Sequence, residues 1–179
     1  MPRRKLQPHL TPQHLRGRTI SEVLRKHGLR CYWEGVIRRE VARKAKGRCQ
    51  ICGVRRDSAR DRASSLDAPL PWAACHEVWS YDFDTRTATI TALQHVCRRC
   101  NQSLHIGIAA SRFLGEGNIA SWDEVVNHIA RVNRISLQQA QGLVDKALGG
   151  QPRLDSVRWK PKISEPLLER FPALRLIRL

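Results

Sequence analysis

Two Cys-x-x-Cys pairs, Cys49-Gln50-Ile51-Cys52 and Cys97-Arg98-Arg99-Cys100, carry chemistry most directly in this chain. Each two-residue spacer lets a pair of thiolates bite from one turn, and four thiolates close a tetrahedral zinc shell. Such a shell leaves no position for water or substrate, so the expected zinc is structural. Gly53 follows the first pair and allows the knuckle to turn back tightly. A redox role is disfavoured because neither pair sits in a βαβ context. Between the pairs lies a polar island, Cys75-His76-Glu77-Val78-Trp79-Ser80-Tyr81-Asp82, and just beyond the second pair come Asn101 and His105. At i and i+4, these last two share one helical face and can turn toward one ion.

The elements that must position these groups follow from pattern. Thr19 with Glu22 matches a capping box, and the helix after it is expected to stop at Gly28. Residues 34–46 read as a second helix, with Val36, Ile37, Val41 and Ala45 near helical spacing. Gly47 ends it and delivers Cys49. Residues 55–69 lack periodicity and read as an exposed loop. Residues 72–82 and 86–96 read as two strands around Asp82-Phe83-Asp84-Thr85, the second rich in β-branched residues. Residues 98–110 fit a helix carrying Asn101 and His105, which the zinc would fasten to the loop before the hairpin. Ser121 with Glu124 and Ser136 with Gln139 suggest two more capping boxes, and Gly149-Gly150 stops the last helix. Residues 1–18 read as a mobile basic arm. Residues 151–179 read as irregular, with Pro152, Pro161, Pro166 and Pro172 blocking long helices. The fold class is α+β.

Charge narrows the partners. The formal net charge is +16 and the surplus is lopsided: residues 1–62 hold 18 Lys/Arg against 5 Asp/Glu, the remainder 14 against 11. A basic front half points to a polyanion. The arm at residues 3–5 and the helix face bearing Arg38, Arg39, Arg43 and Lys44 are phosphate-contact candidates, as are Arg98 and Arg99 inside the second knuckle. No run approaches the ~20 apolar residues needed to span a bilayer, and no signal-peptide core follows the start. Paired thiols at knuckle spacing suit a reducing, cytosolic compartment. Trp79 and Tyr81 are expected to pack the hairpin, Asp82 to start its turn, and Cys31 to be a small buried hydrophobe.

The ordered set Cys49-x-x-Cys52, Cys75-His76-Glu77-Val78-Trp79-Ser80-Tyr81-Asp82, Cys97-x-x-Cys100-Asn101 and His105-x-Gly107 resembles the HNH endonuclease family. More narrowly, it is similar to the zinc-bound bacterial and phage branch with a His-Glu-x-Trp-x-Tyr-Asp signature. The match runs from about Gly35 to Gly107, and the segment Asn127–Asn133 resembles a helical extension in that branch. The resemblance implies a ββα-metal core over 34–112, preceded by the arm and short helix at 1–33 and followed by a helical extension and Pro-rich tail at 113–179. It implies metal-dependent hydrolysis of phosphodiester bonds, with DNA the better substrate and RNA open. His76 would activate water, while Asn101 and His105 would hold Mg²⁺ or another divalent cation. Many members carry Asp or His where this chain has Cys75, so Glu77 or Asp82 is the expected further ligand. The middle Asn of the family falls near Ala92 or Leu93, where Thr91 or Gln94 would have to substitute. That departure keeps a rival in view: a non-catalytic, zinc-stabilised nucleic-acid-binding protein or a subunit of a larger nucleoprotein assembly.

Overall fold

The computed structural model describes residues 5–55 and 73–179. In chain order its helices are α1 (Ile20–Lys26), α2 (Arg30–Tyr32), α3 (Arg38–Lys44), α4 (Arg98–Leu104), α5 (Ile106–Gly115), α6 (Ile119–Asn133), α7 (Leu137–Gly149), α8 (Gln151–Asp155) and α9 (Glu165–Arg170). The strands are β1 (Ala73–Asp82), β2 (Thr87–Cys97) and β3 (Lys160–Ile163), in one sheet of order β1-β2-β3. The chain is therefore mixed α+β. The loop expected over 55–69 lies outside the described residues, Arg55 excepted.

Two compact units emerge, each assembled from three stretches of chain. The first comprises Met1–Leu10, Gly47–Ala74 and Val96–Pro152. Its centre is α6, whose buried stripe is Trp122, Val125, Val126, Ile129 and Ala130. Asn118, not Ser121, caps α6: its side chain accepts the Ser121 N–H at 3.1 Å, so the helix starts earlier than the expected capping box. Ser136 and Gln139 do form a reciprocal capping box at the start of α7. The first residues described are not a loose arm. Leu6 is fully buried, and its backbone N and O both bond the Asn133 side-chain amide at 2.8 Å. Leu10 packs so close to α5 that a Cβ on Gly107 would lie 2.6 Å from Leu10 Cδ2. Glycine at 107 is what admits the arm.

The second unit comprises Thr11–Lys46, Cys75–His95 and Arg153–Leu179. Thr19 and Glu22 cap α1 reciprocally, and Gly28, at φ +72°, follows the helix as expected. A π-helical turn, Trp33–Ile37, joins α2 to α3, so the second helix starts earlier than its apolar stripe suggests. Ile20, Leu24, Ile37, Val41, Ile90, Leu93, Leu167, Phe171 and Leu174 form the main core, with Cys75 and Trp79 packed against it. Leu15, Ala88 and Trp159 form a smaller cluster, which Tyr81 joins with its ring centroid 5.1 Å from that of Trp159. Asp82 closes the hairpin turn, its carboxylate accepting from Asp84 N, Thr85 N and the Thr85 hydroxyl. The tail is more regular than expected. β3 pairs parallel with β2, Thr87 opposite Lys160 and Ile90 opposite Ile163. Cys31, expected to be buried, is exposed, because α2 turns it away from the core that takes Trp33.

Candidate metal centre

In the first unit the four cysteines converge. The Sγ atoms of Cys49, Cys52, Cys97 and Cys100 all lie within 4.8 Å of one another, with Cys52 and Cys97 at 3.6 Å. Tetrahedral zinc with Zn–S bonds of about 2.3 Å requires sulfurs about 3.8 Å apart, so the cluster has the dimensions of a metal cage. Local structure explains the convergence. Cys49 N donates to Val54 O and Gly53 N to Cys49 O, each at 2.9 Å, and Gly53 takes φ +78°, a left-handed turn that favours glycine. Cys97 ends β2 in extended conformation and Cys100 lies one turn into α4, fully buried. Hydrogen bonds from Cys100 pull the Cys49 thiol well below its ordinary range and lower that of Cys52, while Cys100, chiefly as donor to Cys49, is pushed up. A divalent ion would replace those shared protons and offset half of the charge of the four thiolates. The cluster can hold a metal ion such as zinc.

Sequence reading missed His128, which supports this cage. Its Nε2 is 3.2 Å from Cys100 Sγ and its Nδ1 is 3.1 Å from Arg131 Nη2. A guanidinium only donates, so Nδ1 accepts and the proton sits on Nε2, directed at the sulfur. An N–H aimed at a thiolate stabilises its charge. The available signal was His128 and Arg131 at i and i+3, on one face of the helix.

The helix expected over 98–110 breaks at His105. His105 N still donates to Asn101 O at 3.1 Å, closing the last turn of α4, but ψ of +56° then redirects the chain into α5. The arm exploits the break: His9 N donates to Leu104 O at 3.0 Å, and His9 forms a parallel bridge with His105. The two imidazole centroids are 5.7 Å apart and their ligand nitrogens lie within 4.8 Å. Burial, and secondarily the neighbouring His9, lowers His105 to about 4, and burial lowers His9 too. Both rings are therefore neutral near pH 7, the form in which imidazole coordinates a metal. His9 was not foreseen as a ligand. Asn101 stands half-buried on α4, one turn before His105.

Arg98 and Arg99, the spacer of the second knuckle, line a pocket of about 290 Å³ together with residues of α5 and α6.

The second unit holds the remaining candidates. His76 is buried on β1, only 3% exposed. Glu77, the further ligand considered, is buried, and its Oε1 accepts the Ile20 N–H at 2.7 Å and so caps α1 from another element. Burial raises this carboxyl to about 8 against the pull of the Ile20 and Ser21 amides. Asp82, the other ligand considered, is engaged in the hairpin turn. Thr91 donates its hydroxyl to Val78 O at 3.2 Å, whereas Gln94 is buried further along β2. Of the basic helix face, Arg38 pairs with Glu34 at 2.5 Å and Arg43 with Glu40 at 2.8 Å. Arg39 and Lys44 are exposed.

The described residues thus define a mixed α+β protein whose first unit contains a four-cysteine cluster that could hold a metal ion. Comparison with protein-family models, with curated proteins and with solved structures finds no match to this chain. None of the described helices is long and apolar enough to cross a membrane.

Proposed function

We propose that this chain is a metal-dependent HNH-type endonuclease that hydrolyses phosphodiester bonds of nucleic acid, DNA before RNA, in a reducing compartment such as the cytoplasm. In this reading the hairpin β1–β2 and helix α4 are the ββα-metal core, and the four-thiolate cage holds structural zinc. The observation that carries the reading is the state of His105. It is a neutral imidazole at the end of the helix that the cage anchors, with His9 beside it offering a second neutral nitrogen. Two such nitrogens are a cation-binding pair, and they suit Mn²⁺, Ni²⁺ or Zn²⁺ at least as well as Mg²⁺. Asn101 adds an oxygen donor on the same helix. The role of the cation is to stabilise charge growing on the phosphate and the leaving oxygen. His76 takes the proton of the attacking water.

Cleavage of plasmid DNA by the zinc-loaded protein, with each divalent ion supplied in turn, tests the reading. His76→Ala and His105→Ala are expected to lower the rate by roughly 100-fold or more, with zinc content unchanged. Variants as active as wild type would remove both residues from the chemistry.

A second reading has its own support. Glu77 and Asp82 are both engaged elsewhere, and Ala92 and Leu93 stand where the family's middle Asn would be. A non-catalytic nucleic-acid-binding protein, alone or within a nucleoprotein assembly, would keep the cage and the charge. It predicts salt-sensitive binding with no hydrolysis in any metal.

A further inference from the structure

The pocket beside the second knuckle has a composition that the nuclease reading leaves unused. Arg98 and Arg99 enter it from α4, Arg131 from α6, and Gln102 and Asn127 add amide groups. Glu124 is the one carboxylate among the lining residues. Among the described residues none of the three guanidiniums is in an ion pair, although Arg38, Arg43, Arg170 and Arg175 all are. Three cations lining one concave surface, against a single carboxylate that pairs with none of them, repel one another, and an oxyanion removes that repulsion.

The walls of the pocket are also fixed in place. Arg98 and Arg99 sit between Cys97 and Cys100, so closing the thiolate cage sets the backbone from which both side chains project. On the other wall, Arg131 is tied through His128 to Cys100 Sγ, at distances of 3.1 and 3.2 Å. The pocket of about 290 Å³ accommodates a tetrahedral anion with its first waters.

We propose that this pocket is a phosphate-binding site, held in shape by the four-thiolate cage through His128. Its ligand is a phosphate oxyanion, from the backbone of a bound nucleic acid or from free phosphate. The backbone source rests on the nucleic-acid reading above, whereas the site itself does not. Binding rather than cleavage is therefore the readout, and unaltered cleavage by a His76 variant would leave the proposal untouched.

The experiment uses the zinc-loaded full chain without other divalent ions. Binding of a labelled DNA duplex is measured across a salt series, and binding of inorganic phosphate by calorimetry. Arg131→Gln and Arg99→Gln are compared with Arg178→Gln, an exposed arginine of the second unit that serves as a control for bulk charge. For a backbone phosphate, each pocket variant weakens duplex binding about fivefold to tenfold and reduces the salt slope by about 0.9 for each phosphate that is no longer neutralised. Arg131→Lys then recovers part of that affinity, and Glu124→Gln tightens binding. For free phosphate, the pocket variants abolish the calorimetric signal and bind duplex as the control does. Pocket variants indistinguishable from Arg178→Gln in both assays, at equal zinc content, would overturn the proposal.

Discussion

The two units fix buried polar groups by opposite means. In the first, the cysteines flank two short spacers, and their four sulfurs converge on one cluster. In the second, Glu77 is held by the amides of Ile20 and Ser21, the first of them 57 positions earlier in the chain, and its burial raises the carboxyl to about 8. A metal cage announces itself because coordination geometry demands local spacing. A buried carboxylate does not, because its partner is chosen by packing.

That contrast can be broken most forcefully by removing the metal. Stripping zinc with a chelator, or Cys100→Ser, is expected to lower the melting temperature by about 10 °C or more. Hydrogen exchange should show amides of α4–α7 losing protection before those of β1–β3. Uniform loss across both units, or none, would mean that the cage does not stabilise the first unit separately.

Glu77 gives the next largest effect. Its carboxyl rises from 4.5 to about 8, so the folded state favours the protonated form. The sign follows: this contribution to stability is full below about pH 4.5 and is lost as pH rises through about 8. The limiting slope is about 1.4 kcal/mol per pH unit. Glu77→Gln keeps an oxygen for Ile20 N while removing the titration. Denaturant melts at about pH 7 and about pH 9, above the range in which His9 and His105 titrate, should show wild type losing more stability at the higher pH than the variant does. A wild-type curve as flat as that of the variant would put Glu77 in water.

The smallest effect calibrates the comparison, since among the described residues each unit carries one reciprocal capping box. Thr19→Ala in the second unit and Ser136→Ala in the first should each cost about 1 kcal/mol, read from the midpoint of chemical denaturation. A much larger loss at Thr19 would show that the box and Glu77 act on α1 as one network.

What could be read from sequence was what is local. Both capping boxes, the hairpin turned by Asp82, the Gly28 and Gly47 stops and the cysteine knuckles all rest on residues within a few positions of one another. What escaped was decided at long range. β3 is a four-residue segment with two lysines and a proline, and pairs with residues some 70 positions earlier. The break at His105 depends on the Leu104 carbonyl bonding His9, which no pattern around residue 105 encodes. His128 looked like any polar residue of an amphipathic helix until Cys100 came within 3.2 Å. Ser121 had the right partner spacing, yet Asn118 reached its amide first.

The lock between Leu6 and Asn133 bears on how the molecule is made. These two residues are separated by 127 positions. A ribosome therefore releases Leu6 long before the amide that will hold it has been synthesised. Until α6 follows it out, the segment around Leu6 has apolar side chains and no seat, so it settles only after residues more than a hundred positions further on.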